Sequence, residues 1–278
     1  HNAVISSQTC HVIEQTIGIQ EKLQGKPVLP VWCPHGNSDK GHRSLLMEAL
    51  ESEKIALIYG DKMMNFIKKK GAYNDRCHYL HIGNYRKLYY EKMKPFLTKI
   101  AKETIPFGKK NYLYAPTWND AESSSTFVET FPQLIDATPD DVTLIVKLHP
   151  NDYLRQESDI FRLILKYEDN KGIFFLRDFP PIYPLLDLCD GYIGDASSIG
   201  YDMLFFKKPL FFTSHHPSPI HGCGEVITDY SKLFKQESQD RDREKESLYN
   251  ETFGPEVVWN AFEKTFALTC MEELETFI

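Results

Sequence analysis

The sequence predicts an α/β protein built from two parallel-sheet halves. Three observations carry this. Short apolar runs alternate with helix-length segments along the chain, which is the pattern of strands joined by helical crossovers. One run, Val142–Leu148, is apolar almost throughout, as a strand buried on both faces of a parallel sheet must be. The alternation breaks at Pro106-Phe107-Gly108 and then starts afresh, because proline and glycine together end regular structure.

The elements follow in order. Asn2–Ser6 is a short apolar strand, and Thr9–Gln24 has helical spacing that Gly25 stops. Pro27–Trp32 is a second strand, Ser44–Ser52 a helix, and Ile55–Tyr59 a third strand. A lysine-rich helix then runs to Lys70 and ends at Gly71; Cys77–Ile82 is a fourth strand and Lys87–Glu103 a basic helix. Past the break come the strand Asn111–Ala115, the helix Thr126–Asp136, the buried strand, the helix Glu157–Tyr167 and the strand Ile173–Leu176. Then follow the short helix Ile182–Leu188, the strand Gly191–Gly194, the helix Ser197–Phe206 and the strand Pro209–Thr213. The segment Ser231–Ile278 is polar and helical. The expected halves are residues 1–106, a short or truncated domain, and 107–278 with the C-terminal helices. Both are Rossmann-like, and they are expected to face each other across a cleft.

Composition narrows the function. Hydrophobic residues make up 42% of the 278 and charged residues 26%, which excludes a disordered chain and a coiled coil. No apolar stretch approaches the length of a membrane-spanning helix. The sequence starts at His1 and enters a strand-like run at once; no signal peptide is visible, and the expectation is a chain that starts inside a domain. The six cysteines form no CxxC pair, so they read as reduced thiols of a cytoplasmic protein, and no metal site is expected. A net charge of -7 argues against a nucleic-acid partner. Yet Lys54–Lys110 holds 14 Lys and Arg against 4 Asp and Glu. Such a segment is either a solvated face or a patch for an anionic acceptor or the inner face of a membrane.

In parallel sheets the chemistry sits just past the strand ends. After Pro27–Trp32 comes Cys33-Pro34-His35-Gly36, with Lys40 downstream. A histidine there can project into a cleft, Gly36 lets a ligand approach the backbone, and Lys40 can reach a phosphate; the plain alternative is a surface turn. After Asn111–Ala115, Pro116 ends the strand and Thr117 offers a hydroxyl beside Trp118. After Val142–Leu148 comes His149, and Pro150 turns the chain away. The sharpest local pattern is Gly191-Tyr192-Ile193-Gly194-Asp195-Ala196-Ser197-Ser198, a strand and tight turn leading into a helix. Asp195 or Ser197 can cap that helix. Its first-turn N–H groups, with the Ser197 and Ser198 hydroxyls, can hold a phosphate. His215, His216, His221 and Cys223 form a weaker cluster that reads as a polar loop. His78 and His81 would face opposite sides of a strand.

Taken in order, these strings resemble one family. They are His35-Gly36 with Lys40, Tyr114-Ala115-Pro116-Thr117-Trp118, Lys147-Leu148-His149-Pro150, and Asp195-Ala196-Ser197-Ser198 running on to Asp202 and Lys208-Pro209. The sequence is similar to the CDP-glycerol glycerophosphotransferases, the teichoic-acid primases and polymerases, which have the GT-B architecture. It departs from their pattern at Pro34, Asn119 and Ala196. The resemblance implies a donor such as CDP-glycerol and no resident cofactor. His35 would be the general base and His149 would stabilise charge on the phosphates. Gly36, Lys40, Thr117, Asp195, Ser197 and Ser198 would bind the nucleotide and its phosphates. The acceptor would be anionic or lipid-linked, met by the basic segment 54–110. Two other readings fit the same pattern. One is a UDP-sugar glycosyltransferase or 2-epimerase, although only Asp39 near the His-Gly turn offers an extra carboxylate. The other is a degenerate, non-catalytic nucleotide-binding protein, marked by the three departures.

Overall fold

Two parallel sheets organise the chain. The computed structural model describes residues 3–34, 36, 49–118, 125–154, 158–177, 181–195, 197–214, 217–235 and 239–275. His35, Asp39, Lys40, Asn119, Ala196, His215, His216 and most of the expected helix Ser44–Ser52 lie outside the described residues.

The first sheet has the order β1-β2-β3-β4, from Ala3–Ser6, Leu29–Trp32, Ile55–Ile58 and His78–His81, all parallel. Helix α1 (Cys10–Gln24) ends as expected at Gly25, whose φ of 63° lets its N–H reach the Glu21 carbonyl. Helix α2 (Asp61–Lys69) stops before Gly71, which has φ 70°. Helix α3 (Tyr85–Thr104) follows β4.

The second sheet has the order β10-β9-β8-β5-β6-β7, again all parallel. Its strands are β5 (Lys110–Tyr114), β6 (Val142–Val146), β7 (Ile173–Phe175), β8 (Gly191–Gly194), β9 (Leu210–Phe212) and β10 (Glu225–Val226). From β5 the chain winds outward through β6 and β7, then returns to the other side of β5 and winds outward again through β8, β9 and β10. This is the doubly wound order, and its switch point lies between β5 and β8. The helices of this unit are α4 (Phe127–Ala137), α5 (Pro150–Leu154), α6 (Asp159–Tyr167), α7 (Tyr183–Leu188), α8 (Ser198–Met203) and α9 (Asp242–Phe253), and α10 (Trp259–Glu275) closes the chain. The core beside β5 and β6 is aromatic. Phe127 and Phe131 lie 4.6 Å apart between ring centres, and both stack on Tyr114. Each such fully buried ring contributes about 1.5–3 kcal/mol through burial.

Three details differ from the sequence reading. Strand β6 ends at Val146, and the Lys147 N–H just past it still donates to the Tyr114 carbonyl at 2.9 Å. Pro150 opens the one-turn helix α5, where a missing N–H costs nothing. The two-residue strand β10 was too short for any pattern to announce. The compact units also divide elsewhere than at Pro106. Among the described residues, the first holds those up to Tyr85 and again from Asn250, and the second those from Arg86 to Tyr249. Helix α3 belongs to the second unit because its side chains are tied there. Tyr90 Oη donates to Asp187 at 2.6 Å, and Lys94 pairs with the same carboxylate at 2.8 Å. Helix α10 belongs to the first unit, where Glu273 takes Lys54 at 3.1 Å and His78 at 3.0 Å.

Candidate functional site at the sheet switch point

The carboxyl ends of β5, β6 and β8 bring together sequence-predicted residues that lie far apart in the chain. Asp195 follows β8 and is 1% exposed. Its Oδ1 accepts the Thr117 N–H at 2.8 Å, directly across the switch point from the loop after β5. Its Oδ2 accepts the Thr126 N–H at 3.2 Å and the Thr126 hydroxyl at 3.3 Å, at the start of α4. Thr126 and Thr213 share a hydroxyl bond of 2.6 Å, and Thr213 donates back to the Gly194 carbonyl at 3.1 Å. Both carboxylate oxygens thus face protein donors, and Asp195 holds the loops after β5, β8 and β9 in register.

Tyr192 adds to this scaffold. Its ring folds over Gly194, where a Cβ would sit 2.0 Å from the phenol oxygen, so only glycine fits. Burial, with the Asp195 charge next, pushes the Tyr192 phenol well above its ordinary value. It therefore stays a neutral donor, to the Ala115 carbonyl at 3.3 Å.

Ser197, not Asp195, caps α8: its hydroxyl accepts the Ile199 N–H at 3.4 Å. Ser198 is the first residue of that helix. His149 is exposed at the end of β6. Its ring lies 5.6 Å from that of Trp118, at 27° to it. Its carbonyl accepts the Asp152 N–H and so opens α5. Beside it, burial lowers the Lys147 ammonium from its ordinary value. Thr117, Asp195, Ser197, Ser198 and His149 therefore cluster on one rim of one sheet. Gly36 belongs to the first unit.

The structure also shows partners that no local pattern could announce. Asp202, on the buried side of α8, accepts from Arg86 Nη2 at 2.9 Å and from Tyr183 Oη at 2.8 Å. Burial raises its carboxyl above the ordinary value of 3.8, opposed by Arg86 and Tyr183. Lys208, part of the Lys-Pro string, donates to the carbonyls of Leu186, Asp187 and Cys189. It caps the carboxyl end of α7, where a cation meets the negative pole of the helix. His221 packs its ring 4.9 Å from that of Phe212. Among the described residues, no group of three or more His, Cys, Asp or Glu is placed to hold a metal ion. The Asp-x-Asp string Asp240-Arg241-Asp242 lies at the start of α9, where Asp242 pairs with Lys245 at 3.4 Å. Among the described residues, no helix is long and apolar enough to cross a membrane.

Known proteins resemble this chain in sequence and in fold. The teichoic acid glycerol-phosphate primase of Bacillus spizizenii is 27% identical over 146 residues, 52% of this chain and 36% of that protein. The chain thus matches well under two thirds of that relative's length. The wall teichoic acid polymerase TagF superposes with a TM-score of 0.61 at 15% identity, covering 90% of this chain and 70% of that one. UDP-N-acetylglucosamine 2-epimerase from Rickettsia bellii does so with 0.60 at 12% identity, covering 99% and 74%. At these identities the likeness is one of fold, and it makes the two parallel-sheet units GT-B-like. Residues 70–217, which take in β5, β6, β8, β9 and the loops of the switch point, match the family described as CDP-Glycerol:Poly(glycerophosphate) glycerophosphotransferase. That segment is more than half of the sequence, and the chain belongs to this family.

Proposed function

We propose that the chain transfers glycerol phosphate, or a related polyol phosphate, from a CDP-activated donor to an acceptor hydroxyl in cell-envelope polymer synthesis. The observation that supports this most is the clustering of Thr117, His149, Ser197 and Ser198 on the carboxyl rim of a doubly wound sheet, inside the family segment. That rim is where such sheets take nucleotides. The donor pyrophosphate lies against the first turn of α8, with Ser197 and Ser198 beside it and Thr117 on the loop opposite. His149 donates to the phosphate oxygens as charge builds on the leaving group. The acceptor oxygen attacks the phosphorus that carries the glycerol. The bond from that phosphorus to the bridging oxygen breaks, CMP leaves, and His35 takes the acceptor's proton. The family resemblance assigns Gly36 and Lys40 to the donor phosphates as well. In this reading the donor is a substrate and no resident cofactor takes part. The place of action is the cytoplasm, at the inner face of the membrane.

A thermal-shift panel tests the donor. CDP at about 100 times its dissociation constant should stabilise the fold by roughly 2.7 kcal/mol, with UDP and GDP weaker. Stabilisation by UDP alone would overturn the cytidylyl assignment.

The acceptor side follows the charge. Helix α3 exposes Tyr89 (61%) and Phe96 (57%), with Lys92 and Lys99 exposed on the same stripe. Aromatic rings flanked by lysines on one helical face suit an anionic lipid surface. Each lysine near such a surface contributes about 1 kcal/mol. Co-sedimentation with phosphatidylglycerol vesicles should therefore drop about tenfold or more in Lys92→Glu/Lys99→Glu. Equal binding to neutral phosphatidylcholine vesicles would refute an electrostatic contact.

A further inference from the structure

Lys147 is a half-buried cation with no anion of its own. It stands between β6 and His149, and among the described residues its ammonium makes no hydrogen bond or ion pair. Burial lowers it from its ordinary value, and no neighbouring carboxylate opposes that fall. Other lysines that this unit covers are satisfied. Lys87 pairs with Glu91 at 3.4 Å, Lys245 donates to the Lys207 carbonyl at 3.0 Å, and Lys208 meets three carbonyls. A covered charge costs stability unless something pairs with it, and charges perturbed in this way cluster at functional sites.

Leu144, Val146 and Leu148 pack with Tyr114, Phe127 and Ile193 in the core on one face of the sheet. Alternation along the extended chain sends Lys147 to the other face. Continuing the register past Val146, Tyr114 and Ile193 sets Lys147, Ala115 and Gly194 in one row across β6, β5 and β8. That row closes the sheet at its switch point. Ala115 offers only a methyl group, and the space over Gly194 holds the neutral Tyr192 phenol. The carboxylate that follows, Asp195, already takes Thr117 and Thr126. The rim therefore presents a positive charge that these neighbours leave uncompensated.

We propose that Lys147 binds the diphosphate of the donor and so selects a nucleoside diphosphate over the bare nucleoside. The inference rests on the reading of this rim as the nucleotide site. An ammonium attracts a phosphate more strongly in a partly desolvated site than in water, and a bond between charged groups is roughly twice as strong as a neutral one.

Lys147→Met keeps much of the side-chain length and removes the charge. Without ligand, this variant should melt no lower than wild type, because a desolvated cation has been removed. Its affinity for CDP, read by isothermal titration calorimetry, should fall about tenfold or more, while that for cytidine stays unchanged. Lys147→Arg, which keeps the charge, should recover most of the CDP affinity. Equal CDP affinity in wild type and Lys147→Met would overturn the proposal. So would a matching loss for CDP and cytidine together with a lower melt, which is the mark of a structural lysine. If wild type binds inorganic pyrophosphate but not CDP, and Lys147→Met loses the pyrophosphate, the anion role stands and the cytidylyl donor falls. A wild type that binds neither removes both.

Discussion

His149→Ala is expected to lower glycerophosphate transfer by about a hundred- to a thousandfold, the cost of losing one donor aimed at developing charge. The fold should be nearly untouched. His149 is exposed at the end of β6 and has its ring against Trp118; such an aromatic contact is worth about 0.5–1.5 kcal/mol. The measurement is kcat with CDP-glycerol beside a thermal melt of the same sample. His35→Ala should behave alike for a different reason, since removing a general base costs about a hundred- to ten-thousandfold. Turnover at the wild-type rate in either variant would remove that residue from the mechanism.

Arg86→Ala is expected to produce the largest loss of stability. Arg86 is the cation against Asp202, whose carboxylate is fully buried and whose Oδ2 has no hydrogen-bond partner among the described residues. Taking one partner from a buried pair costs about 3–5 kcal/mol, because the other charge is left uncompensated. The pH dependence has a definite sign. The Asp202 carboxyl is raised above 3.8 in the folded protein by burial, against the opposing pull of Arg86 and Tyr183. Without Arg86 it rises further. A raised carboxyl means that the folded state holds its proton to higher pH than the unfolded chain does. Stability therefore falls as pH climbs from 3.8 towards the folded value, and it does so over a wider span in the variant. Urea unfolding at pH 7 and pH 5 should show the Arg86→Ala deficit shrinking at pH 5, where Asp202 is closer to neutral. A deficit that grows on acidification would show that the pair is not what holds this region.

The strands were legible because each is an apolar run closed by a local stop. Gly191–Gly194, Ile55–Ile58 and Lys110–Tyr114 fall where the pattern puts them, within a residue or so. Residues at the strand ends were legible too, since proline and glycine mark where a strand lets go of the chain. Their individual tasks were less so. Asp195 looked like a helix cap or a phosphate ligand, yet its oxygens clamp Thr117 and Thr126. Lys208 looked like a motif residue, yet it caps three carbonyls. His35 and Lys40 lie outside the described residues.

By itself the sequence determined the α/β alternation, the presence of two sheets and the family, because hydrophobic period, turn chemistry and short strings are properties of neighbouring residues. Only the tertiary structure decided the strand order, the switch point between β5 and β8, and the division of the chain at Tyr85 and Asn250. It also decided which buried charge meets which partner. Arg86 and Asp202 are separated by 116 positions, and no local pattern selects one contact at that distance; packing does, by bringing the Arg86 guanidinium against a buried carboxylate.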